Sequence, residues 1–262
     1  MLAGLARRLA DVRNIFDRSV VIGLCGPQGS GKSTMAERLV PLLAEHKLSM
    51  AILSIDDLYL TRAERERLAA QVHPLLATRG PPGTHDVGLG MAVLDRLLAG
   101  ESLALPRFDK AMDDRAPESE WPRFAGPADI ILFEGWCVGA RAEPDAALLV
   151  PVNELEERED EDGIWRRHVN AALADYQPLF SRIDFLIQLR PPGFETVLGW
   201  REEQEAKLRA CSDPSAARGI MSAREVVRFI QHYERLTRHI IKEMPARADL
   251  VIDLDAQRRQ TG

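Results

Sequence analysis

The sequence is short of cysteine, of basic excess and of long apolar runs, and each shortage removes a class of protein. Only three cysteines occur in 262 residues, Cys25, Cys137 and Cys211. They are far apart, odd in number and show no C-x-x-C spacing, which argues against a disulfide framework or a zinc site and makes a reducing cytoplasm the expected setting. Lysine and arginine (34) do not outnumber aspartate and glutamate (40), leaving a formal charge of −6. A general nucleic-acid binder ordinarily carries a basic excess, so no nucleic-acid partner is expected. A small anionic ligand is not excluded, because it needs only a local positive pocket. No stretch is long and uncharged enough to span a bilayer, so no membrane partner is expected either. The opening residues MLAGLARRLADVRNIF are broken by Arg7, Arg8 and Asp11 and lack the continuous apolar region of a secretory signal. They read as a short amphipathic helix over 1–17. The remaining composition, 45% hydrophobic and 28% charged, is that of an ordinary globular protein rather than a disordered or collagen-like chain. The length fits one large domain with a lid.

Buried parallel strands read as short, nearly continuous apolar runs. Such runs occur at SVVIGLCG (19–26), SMAILSI (49–55), DIILF (129–133), IDFLIQL (183–189) and ADLVIDL (248–254). Helical patterns lie between them, over 32–46, 61–71, 88–99, 194–210 and 223–242. Pro41 is expected to kink or end the first. The stretch 73–87 reads as a loop on its Pro and Gly content. The acidic stretch NELEEREDEDG (153–163) reads as a solvated loop or insertion. Strands alternating with helices predict a three-layer α/β/α fold on a mostly parallel five-stranded sheet. Residues 1–262 are expected to form one domain. Its parts are the N-terminal helix (1–17), a nucleotide- and acceptor-binding core (19–150), lid and C-terminal helices (190–245) and a final strand (248–254). In the helix over 223–242, Val226, Val227, Ile230, Tyr233, Leu236 and Ile240 recur at three- and four-residue spacing and read as a core stripe. Trp136, Trp165 and Trp200 read as packing residues, and Cys25 and Cys137 as small buried ones.

GPQGSGKS, residues 26–33, matches G-x-x-x-x-G-K-[ST] between a predicted strand and a predicted helix. The glycines Gly26, Gly29 and Gly31 allow positive φ and close approach of the backbone to an anion. Backbone N–H groups of Pro27-flanked Gln28 through Thr34, with Ser30 among them, converge on phosphate oxygens at a helix start. Lys32 can bridge the β- and γ-phosphates, Ser33 can ligand Mg²⁺ and Thr34 can contact the α-phosphate. Nucleotide binding follows, with ATP and Mg²⁺ as the cofactors expected.

The loop alone does not name a function. The guanine-reading N-K-x-D of a GTPase switch is absent from the sequence. Phosphoryl transfer needs a further carboxylate for the metal, a base beside the acceptor hydroxyl and cations that close over the phosphates. Glu134, at the end of the 129–133 strand, is placed for the metal at the carboxyl edge of the sheet. Asp56 and Asp57 follow another strand at that edge, and one of them can take the acceptor proton.

ILSIDDLY (52–59), with GPQGSGKST (26–34) and FEGW (133–136), resembles the phosphoribulokinase/uridine-kinase group of P-loop kinases. RGPPGTHD (79–86), PRFDKAMDDR (106–115), WREEQE (200–205) and MSAREVVRFIQHYERLT (221–237) resemble its D-glycerate 3-kinase branch over nearly all of 19–254. The resemblance implies a kinase acting on a hydroxyl of D-glycerate. For that acidic acceptor guanidinium groups offer bidentate carboxylate recognition. Arg79, His85, Arg107, Lys110 and Arg115, on loops rich in Gly and Pro, are the candidates, and Asp109 could orient Lys110 or Arg115. By the resemblance Asp56 is the base, Tyr59 lines the acceptor pocket and Glu134 is the metal-side carboxylate. Arg201 is the lid arginine, with Arg209 and Arg218 as alternatives. Another small acceptor, such as a nucleoside or pantothenate, and a non-catalytic nucleotide-binding regulator are the competing readings.

Overall fold

The structure, a computed structural model, describes residues 2–211 and 221–261. Five strands form its central sheet: β1 (Val20–Cys25), β2 (Met50–Ser54), β3 (Ile130–Gly135), β4 (Phe185–Arg190) and β5 (Leu250–Asp253). Their order is β2-β3-β1-β4-β5 and every neighbouring pair is parallel. All six residues of β1 and of β3 are buried, as an apolar run covered on both faces requires. The order reverses around β1, which puts the loop after β1 in a crevice at the carboxyl edge.

Helices close both faces. On one lie α1 (Leu2–Ile15), α2 (Lys32–Glu45) and the start of α7 (Phe194–Cys211), packing Leu5, Leu9, Leu39, Leu43 and Trp200 against the sheet. On the other lie α4 (Val87–Leu98), α6 (Ile164–Phe180) and α8 (Ala223–Glu243), which bring Leu94, Leu173, Tyr176, Tyr233 and Met244 together. Two shorter helices complete the set, α3 (Arg62–Gln71), begun by a Thr61–Glu64 capping box, and α5 (Glu154–Glu159). Among the described residues no helix is long and apolar enough to cross a membrane.

Three expectations need correction. Pro41 does not end α2, which runs on to Glu45. The proline removes one N–H···O bond on a face where Glu37, Val40 and Pro41 are exposed, so water can replace it. The 153–163 stretch is not merely solvated. Glu156 is fully buried and receives two hydrogen bonds from Arg235, at 2.8 and 2.6 Å. Asp160 is buried against Arg166 at 3.0 Å and caps α6 through the N–H groups of Trp165 and Arg166. The third correction is α6 itself, a 17-residue helix with no counterpart in the sequence reading. The packing residues behave as read. Trp136, Trp165, Trp200, Cys25 and Cys137 are all buried, and the α8 stripe is buried except for half-buried Val227.

Candidate active site

The loop between β1 and α2 occupies the crevice. Gly29 and Gly31 take φ of 75° and 86°, the region that L side chains avoid. A Cβ on Gly29 would also lie 2.7 Å from Trp200 Cβ, so the first turns of α7 rest directly on the loop. Gly26 does not take positive φ; it is needed for space, since a Cβ there would lie 2.8 Å from Ser30 Oγ. The Gly26 N–H donates to Gly135 O at 3.2 Å, and Ser30 N–H to Pro27 O at 3.2 Å, which folds the loop back on itself. Gln28 stands beside the Tyr233 hydroxyl. Arg258, from the segment after β5, stacks on the Trp200 ring at 5.3 Å and donates to Gly29 O at 2.6 Å and to Glu203 at 2.7 Å. The sequence reading passed over this residue. It ties the phosphate loop to α7.

Ser33 and Thr34 open α2 and are exposed, with Lys32 half-buried beside them. Ser33 Oγ donates to Glu134 Oε1 at 3.0 Å. Glu134 is 3% exposed and its Oε2 is buried with no partner. A buried carboxylate oxygen left without a donor is costly unless something positive meets it. One hydroxyl and one carboxylate at a phosphate loop suit Mg²⁺, which uses few protein ligands and fills its octahedron with water and phosphate oxygens.

Across the crevice, Asp56 and Asp57 form a short 3-10 turn, Ile55–Asp57, at the end of β2. Asp56 Oδ1 accepts from the Tyr59 hydroxyl at 2.7 Å, and Oδ2 from Lys110 Nζ at 2.8 Å. Burial alone would raise the Asp56 pKa, but the charges of Lys110 and Lys32, with the two hydrogen bonds, hold it well below the usual carboxylate range. Asp57 points elsewhere. It receives Phe108 N–H and Arg107, each at 3.0 Å, and burial leaves its pKa raised. Adjacent carboxylates thus differ in charge environment, the situation that separates roles.

Three loops meet over these carboxylates. Arg79 pairs with Asp113 and lies 5.6 Å over the Phe108 ring. Arg115 donates to Tyr59 O at 2.9 Å and to Asp86 at 3.1 Å. His85 is buried, stacked on Tyr59 with ring centroids 4.8 Å apart. Gly80 has φ of 120°, and a Cβ there would overlap the Tyr233 hydroxyl, which donates to Arg79 O at 2.9 Å. Asp109 stands apart: its carboxylate receives the N–H groups of Ala111 and Met112 at 2.8 and 3.1 Å and orients neither Lys110 nor Arg115. Arg201, on α7, pairs with Glu205, lies 5.5 Å over the Phe229 ring and has a buried Nε without a partner. Burial lowers its pKa, and the field of Arg79 adds to this. Arg218 and the side chain of Arg209 lie outside the described residues. Asp86, Tyr176 and Tyr233 belong to this neighbourhood too. The sequence offered no role for Asp86 or Tyr176 and took Tyr233 as core.

A parallel α/β sheet with a phosphate loop after its first strand and a hydrogen-bonded Ser33–Glu134 pair beside it defines a P-loop NTPase fold. Residues 21–142 match the model of the phosphoribulokinase/uridine kinase family. An uncharacterized kinase of Schizosaccharomyces pombe, mug58, is 38% identical over 227 residues, 82% of this chain and 79% of the relative. The chloroplastic D-glycerate 3-kinase of Arabidopsis thaliana is 30% identical over 262 residues, covering 91% of this chain but 53% of its own length. The structure of a D-glycerate 3-kinase from Cryptococcus neoformans superposes with a TM-score of 0.78 at 26% identity, over 99% of this chain and 96% of that one. The chain belongs to the phosphoribulokinase/uridine kinase family. It is a kinase whose homologues include D-glycerate 3-kinases, and its family implies ATP use.

Proposed function

We propose that the protein transfers the γ-phosphoryl group of Mg-ATP to a hydroxyl of D-glycerate, giving 3-phosphoglycerate and ADP. The observation that carries this reading is Asp56, an ionised carboxylate held between Lys110 and Tyr59 within the field of Lys32. Kinship with D-glycerate 3-kinases along most of the chain supports the choice of acceptor.

The nucleotide phosphates lie on the 26–34 loop, with its N–H groups and Lys32 turned to their oxygens. The base enters the cavity of about 510 Å³ at the carboxyl ends of β4 and β5, lined by Arg190, Pro191, Pro192, Leu254 and Asp255. Ser33 and Glu134 hold Mg²⁺, which when bound neutralises charge on the β- and γ-phosphates. The acceptor hydroxyl gives its proton to Asp56 as its oxygen bonds the γ-phosphorus and the bond to the ADP oxygen breaks. Lys32 and Arg201 stabilise the charge on the transferring group. Catalysis is then mostly positioning and electrostatics. Arg107 and Lys110 expose 54% and 60% of their side chains, and each meets the glycerate carboxylate by exchanging its pairing with Asp57 or Asp56. Arg79 and Arg115 are less exposed, at 25% and 18%, and hold the loops together. Asp57, Tyr59 and His85 complete the pocket walls.

The test is acceptor-dependent ADP release by the purified protein with Mg-ATP, on D-glycerate, uridine and pantothenate. The reading expects turnover on D-glycerate and little on the others. Turnover on uridine or pantothenate with none on D-glycerate overturns it. ATP binding without turnover on any acceptor would favour a regulator.

A further inference from the structure

His85 and Tyr176 form a buried pair whose hydrogen bonding defines a proton position. The Tyr176 hydroxyl, 2.7 Å from His85 Nδ1, accepts the Gly83 N–H at 2.9 Å and faces the backbone N–H of His85 as well. A phenol has one proton to give. With backbone donors on the oxygen, and His85 Nδ1 the acceptor beside it among the described residues, that proton goes to Nδ1. The imidazole then carries its own proton on Nε2. Burial pushes the His85 pKa down to about 4, so the ring is neutral at physiological pH. His85 is 5% exposed, and its Nε2 is buried without a partner. A buried N–H left unpaired is a standing energetic cost and calls for an explanation. Its surroundings supply one. The ring stacks on Tyr59, whose hydroxyl donates to Asp56, and Asp56 is the charged group that acts on the imidazole.

We infer that Tyr176 is a positioning residue that locks His85 in its Nε2–H form, and that this N–H is a fixed donor to an oxygen of the acceptor substrate. The inference rests on the acceptor-pocket reading above and adds the polarity of the contact. A neutral N–H donor selects an acceptor carrying a hydroxyl or carboxylate oxygen at that point, and it disfavours one that presents an N–H or a methyl group there. No charge is needed, so recognition is constant across neutral pH.

Histidine nitrogen spectra of the labelled full-length protein read the tautomer directly. The wild type should show His85 protonated on Nε2, and that resonance should move when acceptor is added. Tyr176→Phe should release the tautomer and raise the acceptor KM about five- to tenfold with the ATP KM unchanged, the effect of losing about one hydrogen bond. A second pair guards against misfolding of that variant. His85→Gln places an amide nitrogen near the Nε2 position and His85→Asn near Nδ1, so the acceptor KM should rise less in His85→Gln. A proton on Nδ1 in the wild type overturns the inference, as does an equal rise in the two His85 variants. The tautomer is read without substrate, so failure of D-glycerate as the acceptor is a separate outcome. In that case the Nε2–H resonance must still respond to whichever acceptor supports turnover, and no response overturns the inference.

Discussion

The phosphate side of the crevice is built from backbone, and the acceptor side from side chains. Between Gly26 and Thr34 the groups offered to a ligand are loop N–H groups and three residues at the start of one helix, with Gly29 and Gly31 supplying the backbone turn. Across from them the work is done by paired charges: Asp56 with Lys110, Asp57 with Arg107, Arg79 with Asp113 and Arg115 with Asp86. A backbone cradle binds any nucleotide phosphate. On the proposed function the array of paired side chains is the specific half, because an acidic acceptor must exchange with carboxylates already in place. The two halves should therefore fail separately when altered.

The largest separation is expected from Asp56→Asn. It should lower acceptor-dependent turnover by about 10²–10⁴-fold, the range of general-base contributions. ATP affinity, measured by titration calorimetry, should be nearly unchanged. Gly29→Ala should do the converse. The strained φ and the Trp200 contact should weaken ATP binding about tenfold or more, an effect of order 1–3 kcal/mol, while the acceptor KM stays within a factor of about two to three. A Gly29→Ala protein that loses acceptor affinity alone would break the comparison.

Lys110→Met tests the coupling within the acceptor half. Lys110 heads the interactions holding the Asp56 pKa down. Without it the pKa rises, so the acid limb of kcat/KM against pH should move upward. A limb that stays in place, or moves down, removes Lys110 from the account. Arg258→Ala should give the smallest effect. It removes the donor to Gly29 O and the Arg258 pairing with Glu203, and the ATP KM should rise about two- to fivefold, the effect of losing one hydrogen bond to the loop. The acceptor KM should not respond.

The same contrast explains what could be read in the sequence. Phosphate-loop chemistry is local: GPQGSGKS carries its glycines, lysine and serine at fixed spacing between a strand and a helix, so the pattern is complete in eight residues. The strands were legible because their residues are nearly all apolar, with β1 and β3 buried throughout. The acceptor half is assembled from 56–59, 79–86, 107–115, α6 and α8, and no local rule joins them. Asp56 and Asp57 were legible from their place after a strand; for the other segments only the resemblance pointed there. Tyr176 escaped because α6 escaped: Arg166 and Asn170 are buried within it and Pro178 lies near its end, which blurs the apolar stripe. The acidic stretch misled for a related reason. Glu156 finds Arg235 79 positions away, and a charge run reveals nothing about a partner so distant.

The account turns on Asp56 meeting the acceptor hydroxyl opposite the phosphate loop. A crystal structure with Mg-ADP and D-glycerate would show this directly. It should place the reacting hydroxyl within about 3 Å of an Asp56 carboxylate oxygen, with the phosphates on the 26–34 loop and the glycerate carboxylate against Arg107 or Lys110. Glycerate bound away from Asp56, or a hydroxyl turned from the phosphate loop, would contradict it.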